Sequence, residues 1–210
     1  MDNTDKMIKS LIRQACDLLV SIKKVREADY VNDAKNFNYL TERLQMLSEK
    51  FACGVRKLAI DTYAVERCNV YDNTAEVLGI EIHKENNSVV IELPFLLPRK
   101  KDKQAKFVGD PLKAMFERLS EHEDFKIKEK AVICIVHVYD NKHKKARCYD
   151  FDNLESKRIL DIITVYTLKD DSPEYCDVYH TSMLSDTDKT KIIVMPISEF
   201  QRLNNPYIFE

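Results

Sequence analysis

The feature that most constrains this 210-residue chain is a change of apolar period near residue 77. Upstream, Met7, Ile8, Leu11, Ile12, Ala15, Leu18, Leu19, Ile22 and Val25 recur at spacings of three and four across residues 4–28. That spacing gathers them on one side of an α-helix, with Thr4 as its candidate N-cap. Phe37, Leu40, Leu44, Leu47, Phe51, Val55, Leu58 and Tyr63 repeat the pattern over 33–65. Only Asp29-Tyr30-Val31-Asn32-Asp33 lies between the two runs, so the short connection predicts an antiparallel helical hairpin. Such a hairpin is a packing or oligomerisation element rather than a catalytic one. From Val77 the period falls to two: Leu78, Ile80 and Ile82 alternate with Gly79, Glu81 and His83, and Val89, Ile91 and Leu93 resume the alternation. This predicts a β-hairpin over 77–94 turning at Asn86-Asn87.

The remainder mixes both periods. Asp110 as N-cap and Pro111 at the first helical position predict a helix over 111–122 with Leu112, Met115, Phe116 and Leu119 on one face. Ala131–Tyr139 is a continuous apolar run suited to a central strand. Leu154, Ile159, Ile162, Ile163 and Tyr166 predict a helix over 153–168, and strands are expected at 174–180 and 190–197. The tail from Asn204 reads as a surface strand or peptide. The expected fold class is therefore α+β: a helical hairpin over 1–70, then a mixed β-sheet domain with packed helices over 71–210.

Composition excludes several functions. The glycines are Gly54, Gly79 and Gly109 alone, so a Gly-rich phosphate loop is absent and no nucleotide cofactor is expected. No serine sits in a Gly-x-Ser-x-Gly elbow. Cys16, Cys53, Cys68, Cys134, Cys148 and Cys176 form no Cys-x-x-Cys pair, which argues against a zinc ribbon or redox motif. Free, mostly buried thiols, a first segment without a basic-then-apolar layout and no apolar run of about 18 residues predict a cytoplasmic protein without membrane contact. His83, His122, His137, His143 and His180 show no metal-ligand spacing, and His137, inside the apolar strand, reads as a buried side chain with a hydrogen-bond partner.

One stretch looks built for chemistry. Asp150, Asp152, Asp161, Asp170 and Asp171 crowd around Lys157, and crowded carboxylates repel one another unless a cation neutralises them. Oxygen donors point to a hard divalent ion. Asp150 and Asp152 share one side of an extended segment, and Lys157 and Asp161 share one face of the following helix. Two basic runs flank the cluster: Arg99, Lys100, Lys101, Lys103 and Lys106 upstream, and Lys142, Lys144, Lys145 and Arg147 just before it. Phe151 and Tyr149 interleave with the acids, where strand packing is the expected job and stacking on exposed bases the alternative.

The order D150-F-D-N-L-E-S-K-R-I-L-D161 followed by K169-D-D171 resembles the RusA family of Holliday-junction resolvases. That family's signature runs Asp-x-Asp-Asn, a lysine and an aspartate on the next helix, then Asp-Asp before a strand. The likeness spans roughly 77–198 and leaves the helical hairpin unmatched. In the family the lysine falls three residues after the asparagine, at Ser156 here; Lys157 comes one later, but its spacing of four to Asp161 matches. The resemblance implies a RusA-like sheet domain in which Asp150, Asp152 and Asp171 hold Mg²⁺ or Mn²⁺ and Lys157 orients water or stabilises phosphate charge. It implies a metal-dependent endonuclease that cuts branched DNA in recombination and repair, acting as a homodimer. The basic runs would track the DNA backbone. Two other readings stand beside it: a nucleic-acid-binding protein that keeps the fold without cutting, and an interaction module whose helices mediate assembly.

Overall fold

The computed structural model describes residues 3–62, 67–100, 105–141 and 150–202. They form two compact units, Met1–Tyr71 and Asp72–Glu210. The first contains the expected hairpin, α1 (Asn3–Glu27) and α2 (Ala34–Asp61). Asp29 turns the chain by accepting hydrogen bonds from the Val31 and Asn32 N–H groups, both at 3.0 Å. The Asp33 carboxylate then caps α2 by accepting from the Asn36 N–H at 3.1 Å. Thr4, Met7, Leu11, Gln14, Leu18 and Val25 of α1, partly covered, and the buried Ser21 face the seam, spaced alternately three and four. Phe37, Leu40, Leu44, Leu47, Phe51, Gly54 and Leu58 repeat that spacing on α2, the heptad geometry of two helices packed nearly parallel to each other's axes. The helices come close at Gly54, where a Cβ would lie 2.8 Å from the end of the Leu11 side chain.

The second unit is a five-stranded sheet in the order β1-β2-β5-β3-β4, with β1 at Glu81–Glu85, β2 at Ser88–Leu93, β3 at Ala131–Asp140, β4 at Cys176–Ser185 and β5 at Lys189–Pro196. β1 and β2 pair as the predicted hairpin, closed by two residues with Asn86 at φ 55°. β2–β5 and β5–β3 are antiparallel, and β3–β4 is the one parallel pair. That pair needs a crossover, and α5 (Lys157–Thr167) supplies it. α4 (Ala105–Ser120) and α5 cover one sheet face, where Leu112, Phe116, Ile159 and Ile163 meet Ile91, Ile133, Ile135 and Ile192 in the main core. On the other face the short α6 (Ile197–Arg202) brings Phe200 against Val90, Ile193 and Met195. β3 is buried at every position but the last, as its unbroken apolar run predicts.

Three elements differ from the expectation. A helix α3 (Arg67–Leu78) occupies the start of the segment read as strand. Gly79, at φ 69°, ends it: its N–H donates to the Glu76 carbonyl and the Ile80 N–H to Ala75, both at 3.0 Å, the left-handed stop that glycine favours. α4 begins six residues before Pro111, because Asp110 is taken by an ion pair with Arg158 of α5 rather than by a cap. Gly109 makes that pairing possible, since a Cβ there would meet Arg158 Nε at 2.7 Å. Finally, the expectation of mostly buried thiols holds for Cys134 and Cys176 but not for Cys16, which lies exposed on the outer side of α1. Among the described residues no helix is long and apolar enough to cross a membrane.

Candidate functional site

The parallel register of β3 and β4 builds the most distinctive polar cluster. It pairs Ile135 with His180 and His137 with Ser182, which sets the two imidazoles side by side on the helix-covered face. His137 Nε2 and His180 Nδ1 lie 3.3 Å apart. The ring centroids are 5.6 Å apart with planes only 10° from parallel, so the rings meet edge to edge in nearly one plane, one nitrogen donating its N–H to the other's lone pair. Phe151 lies across both, its centroid 5.2 Å from His137 and 5.3 Å from His180. Burial, helped by the neighbouring His180, pushes the His137 imidazole down to about 4, and burial lowers His180 as well. Both rings are therefore neutral near pH 7. His137 Nδ1, fully buried, has no hydrogen-bond partner among the described residues.

The aspartate motif supplies this lid. Phe151–Asn153 forms a single 3₁₀ turn, closed by the Asn153 N–H on the Asp150 carbonyl at 2.9 Å. Leu154 then plunges into the main core and bridges to Arg99, while the Glu155 N–H donates to the Pro98 carbonyl at 2.8 Å. Asp150 and Asp152 are left exposed at this end of the sheet. Lys157, also exposed, is the first residue of α5.

Asp171 is not brought to them. The eleven residues of α5 separate the two acidic groups, a rise of about 16 Å. Asp170 and Asp171 fall in the turn leading to β4, whose first residue, Cys176, pairs with Ala131 at the start of β3. Phe151 instead stacks on His137, six residues farther along β3, a span of roughly 20 Å. The Asp170 carboxylate accepts the Asp171 N–H at 2.7 Å, and the Ser172 carbonyl receives the Tyr175 and Cys176 N–H groups. The pair is turn chemistry that launches a strand. Asp150, Asp152 and Asp171 as placed do not fit one Mg²⁺ or Mn²⁺, and among the described residues no group of three or more His, Cys, Asp or Glu could hold a metal ion.

Of the basic residues expected to follow a DNA backbone, Arg99 sits beside the aspartate motif, and Lys100 and Lys106 are exposed near it in sequence. Lys101, Lys103, Lys142, Lys144, Lys145 and Arg147 lie outside the described residues, as do Tyr149 and the tail from residue 203.

A second candidate lies on α1. Ile8, Ile12, Ala15, Leu19 and Ile22 each follow a seam residue by one position, so they form a second stripe turned about 100° from the seam. α2 does not cover it: Ile8 is 42% exposed, Ile12 58%, Leu19 67% and Ile22 50%. The covered seam contains Thr4, Gln14 and Ser21, so the more apolar of the two stripes is the one facing water. Helices with two apolar stripes at this angle have two helical neighbours, as in a four-helix bundle. The sequence held this signal in the nine-residue apolar set of α1, which is wider than one partner helix needs.

A family model described as a family of unknown function (DUF6100) matches residues 2–203. No curated protein matches the chain. Among solved structures, the periplasmic domain of Helicobacter pylori MotB overlays with a TM-score of 0.33 at 11% identity, over 61% of this chain and 91% of that one. Another MotB periplasmic domain gives 0.32 at 10% identity, over 63% and 78%. At such overlap neither fold nor function passes from MotB to this chain.

Proposed function

The chain belongs to that DUF6100 family, and we propose that it works as an assembly protein whose N-terminal hairpin docks against further helices, with no nuclease chemistry of its own. The observation that carries this reading is the exposed stripe of Ile8, Ile12, Leu19 and Ile22. Burying a large aliphatic side chain is worth roughly 1.5–3 kcal/mol, so a partner that covered four of them would gain far more than an exposed ion pair supplies. A contiguous apolar stripe of this kind is what marks an interaction surface, whereas single exposed aliphatics are ordinary. The aspartate motif has a structural occupation in this reading: its 3₁₀ turn carries Phe151 over the histidine pair and anchors Leu154 in the core. The likeness of 77–198 to resolvases is, on this reading, one of motif order in the sequence, without the metal centre.

Two measurements test this. In an extract of cells that make the protein, the wild-type chain should migrate in a complex larger than its own 24.6 kDa, and Ile12→Glu/Leu19→Glu as the free chain. A wild type that migrates free overturns the assembly reading. With Mg²⁺ or Mn²⁺ supplied, wild type and Asp152→Asn should both leave a four-way DNA junction uncut. Junction cleavage that Asp152→Asn abolishes restores the nuclease reading.

A further inference from the structure

The outer stripe of α1 is symmetric about its centre in its apolar part. From one end it runs Asp5, Ile8, Ile12, Ala15, Leu19, Ile22, Arg26, with spacings alternating three and four. Large aliphatics flank a central alanine symmetrically, and the two ends carry opposite charges. We infer that the occupant of this stripe is the same stripe of a second copy, laid antiparallel so that Ala15 of each chain sits at the crossing. The inference rests on the assembly reading above and names its partner.

Antiparallel placement sets Ile8 against the second copy's Ile22, Ile12 against its Leu19, and Asp5 against its Arg26, and the two-fold axis then repeats each pair. The small Ala15 lets the helix axes approach where they cross. A parallel arrangement would instead oppose Asp5 to Asp5 and Arg26 to Arg26, placing like charges at both ends. Asp5 already holds Lys9 at 3.0 Å while remaining about half exposed, so its carboxylate has room for a second cation. Arg26 is exposed in the last turn of α1 and has no ion-pair partner among the described residues. Lys23, bordering the stripe, has Glu27 at 3.8 Å, so neither bordering lysine brings an uncompensated charge to the contact. Each hairpin would thereby contribute two helices to a four-helix arrangement, with α2 covering the inner seam and the second α1 the outer one.

The test uses the purified full-length chain. Sedimentation equilibrium should show a dimer for wild type and dissociation at least tenfold weaker for Leu19→Glu, with unchanged helical circular dichroism. Asp5→Arg should weaken the dimer several-fold, and Asp5→Arg/Arg26→Asp should restore it, a rescue that misfolding cannot produce. Orientation is read from disulfides: in a Cys16→Ser background, mixed Ile12→Cys and Leu19→Cys chains should cross-link 12 to 19, and neither should link to itself. In the antiparallel register, position 12 lies too far from its own copy, about 10 Å along the axis, to form a disulfide. A purified wild type that stays monomeric overturns the second-copy inference, as does a 12-to-12 bond or an unrescued charge swap. A monomer in purified form that still migrates in a large complex in the extract leaves the assembly reading intact, so the two failures are distinguishable.

Discussion

At the residue scale, His137 concentrates the cost of the fold's interior. Its imidazole is fully enclosed and pushed from 6.5 to about 4, so in the folded chain it stays neutral where the unfolded chain would take up a proton. The unfolded state therefore binds more protons throughout that window. Stability is complete above about pH 6.5, falls as pH drops below it, and stops falling on this account near pH 4, for a loss of roughly 3 kcal/mol. Urea midpoints between pH 7.5 and 4.5 should show that slope for wild type and a shallower one for His137→Leu; equal slopes would remove His137 as the source. The burial of His137 was legible in the sequence, because it sits in an unbroken apolar strand. Its partner was not. His180 lies 43 residues away, and only the parallel register of β3 and β4 brings the rings together. The same distance problem misled the reading of the aspartates: their order along the chain was clear, but α5 carries Asp170 and Asp171 to the opposite end of the sheet.

Elements were more legible where their period was long and uninterrupted. α1, α2 and β3 follow directly from their apolar spacing, and the β1–β2 turn follows from Asn86-Asn87. α3 escaped because its segment has little apolar periodicity and because Gly79 was read within an alternating run, although it acts as a helix stop. α4 extends beyond its apparent cap because Asp110 found Arg158, a tertiary partner that local capping rules cannot foresee. The 3₁₀ turn of the aspartate motif depends on Leu154, which is buried in the main core and tied to Arg99 by a β-bridge. Leu154→Ala should cost about 2–5 kcal/mol in urea denaturation, through the lost burial and the cavity left behind. Loosening that anchor should also lift Phe151 from the histidines, so the His137 titration followed by NMR should move up from about 4 toward the ordinary value. A destabilised variant with an unmoved His137 titration would separate the lid from its anchor.

For the molecule as a whole, the two units differ in what holds them. The buried apolar core among the described residues runs from Ala75 onward, entirely within Asp72–Glu210, whereas Ser21 is the one described residue of Met1–Tyr71 that counts as buried. Helical segments draw most of their stability from packing an apolar face rather than from propensity, and a unit this small has little core to spare. The hairpin should accordingly owe much of its stability to the partner that covers Ile8, Ile12, Leu19 and Ile22, while the sheet unit should stand alone. If the partner is a second copy, unfolding is linked to association by mass action. Thermal unfolding of the full chain, followed by circular dichroism, should then show two steps, with the earlier, predominantly helical step moving to higher temperature as protein concentration rises and the later step staying fixed. Leu19→Glu should abolish the concentration dependence and shift only the earlier step. A single cooperative transition independent of concentration would mean that the hairpin is stabilised within its own chain and that the exposed stripe contributes nothing to holding it folded.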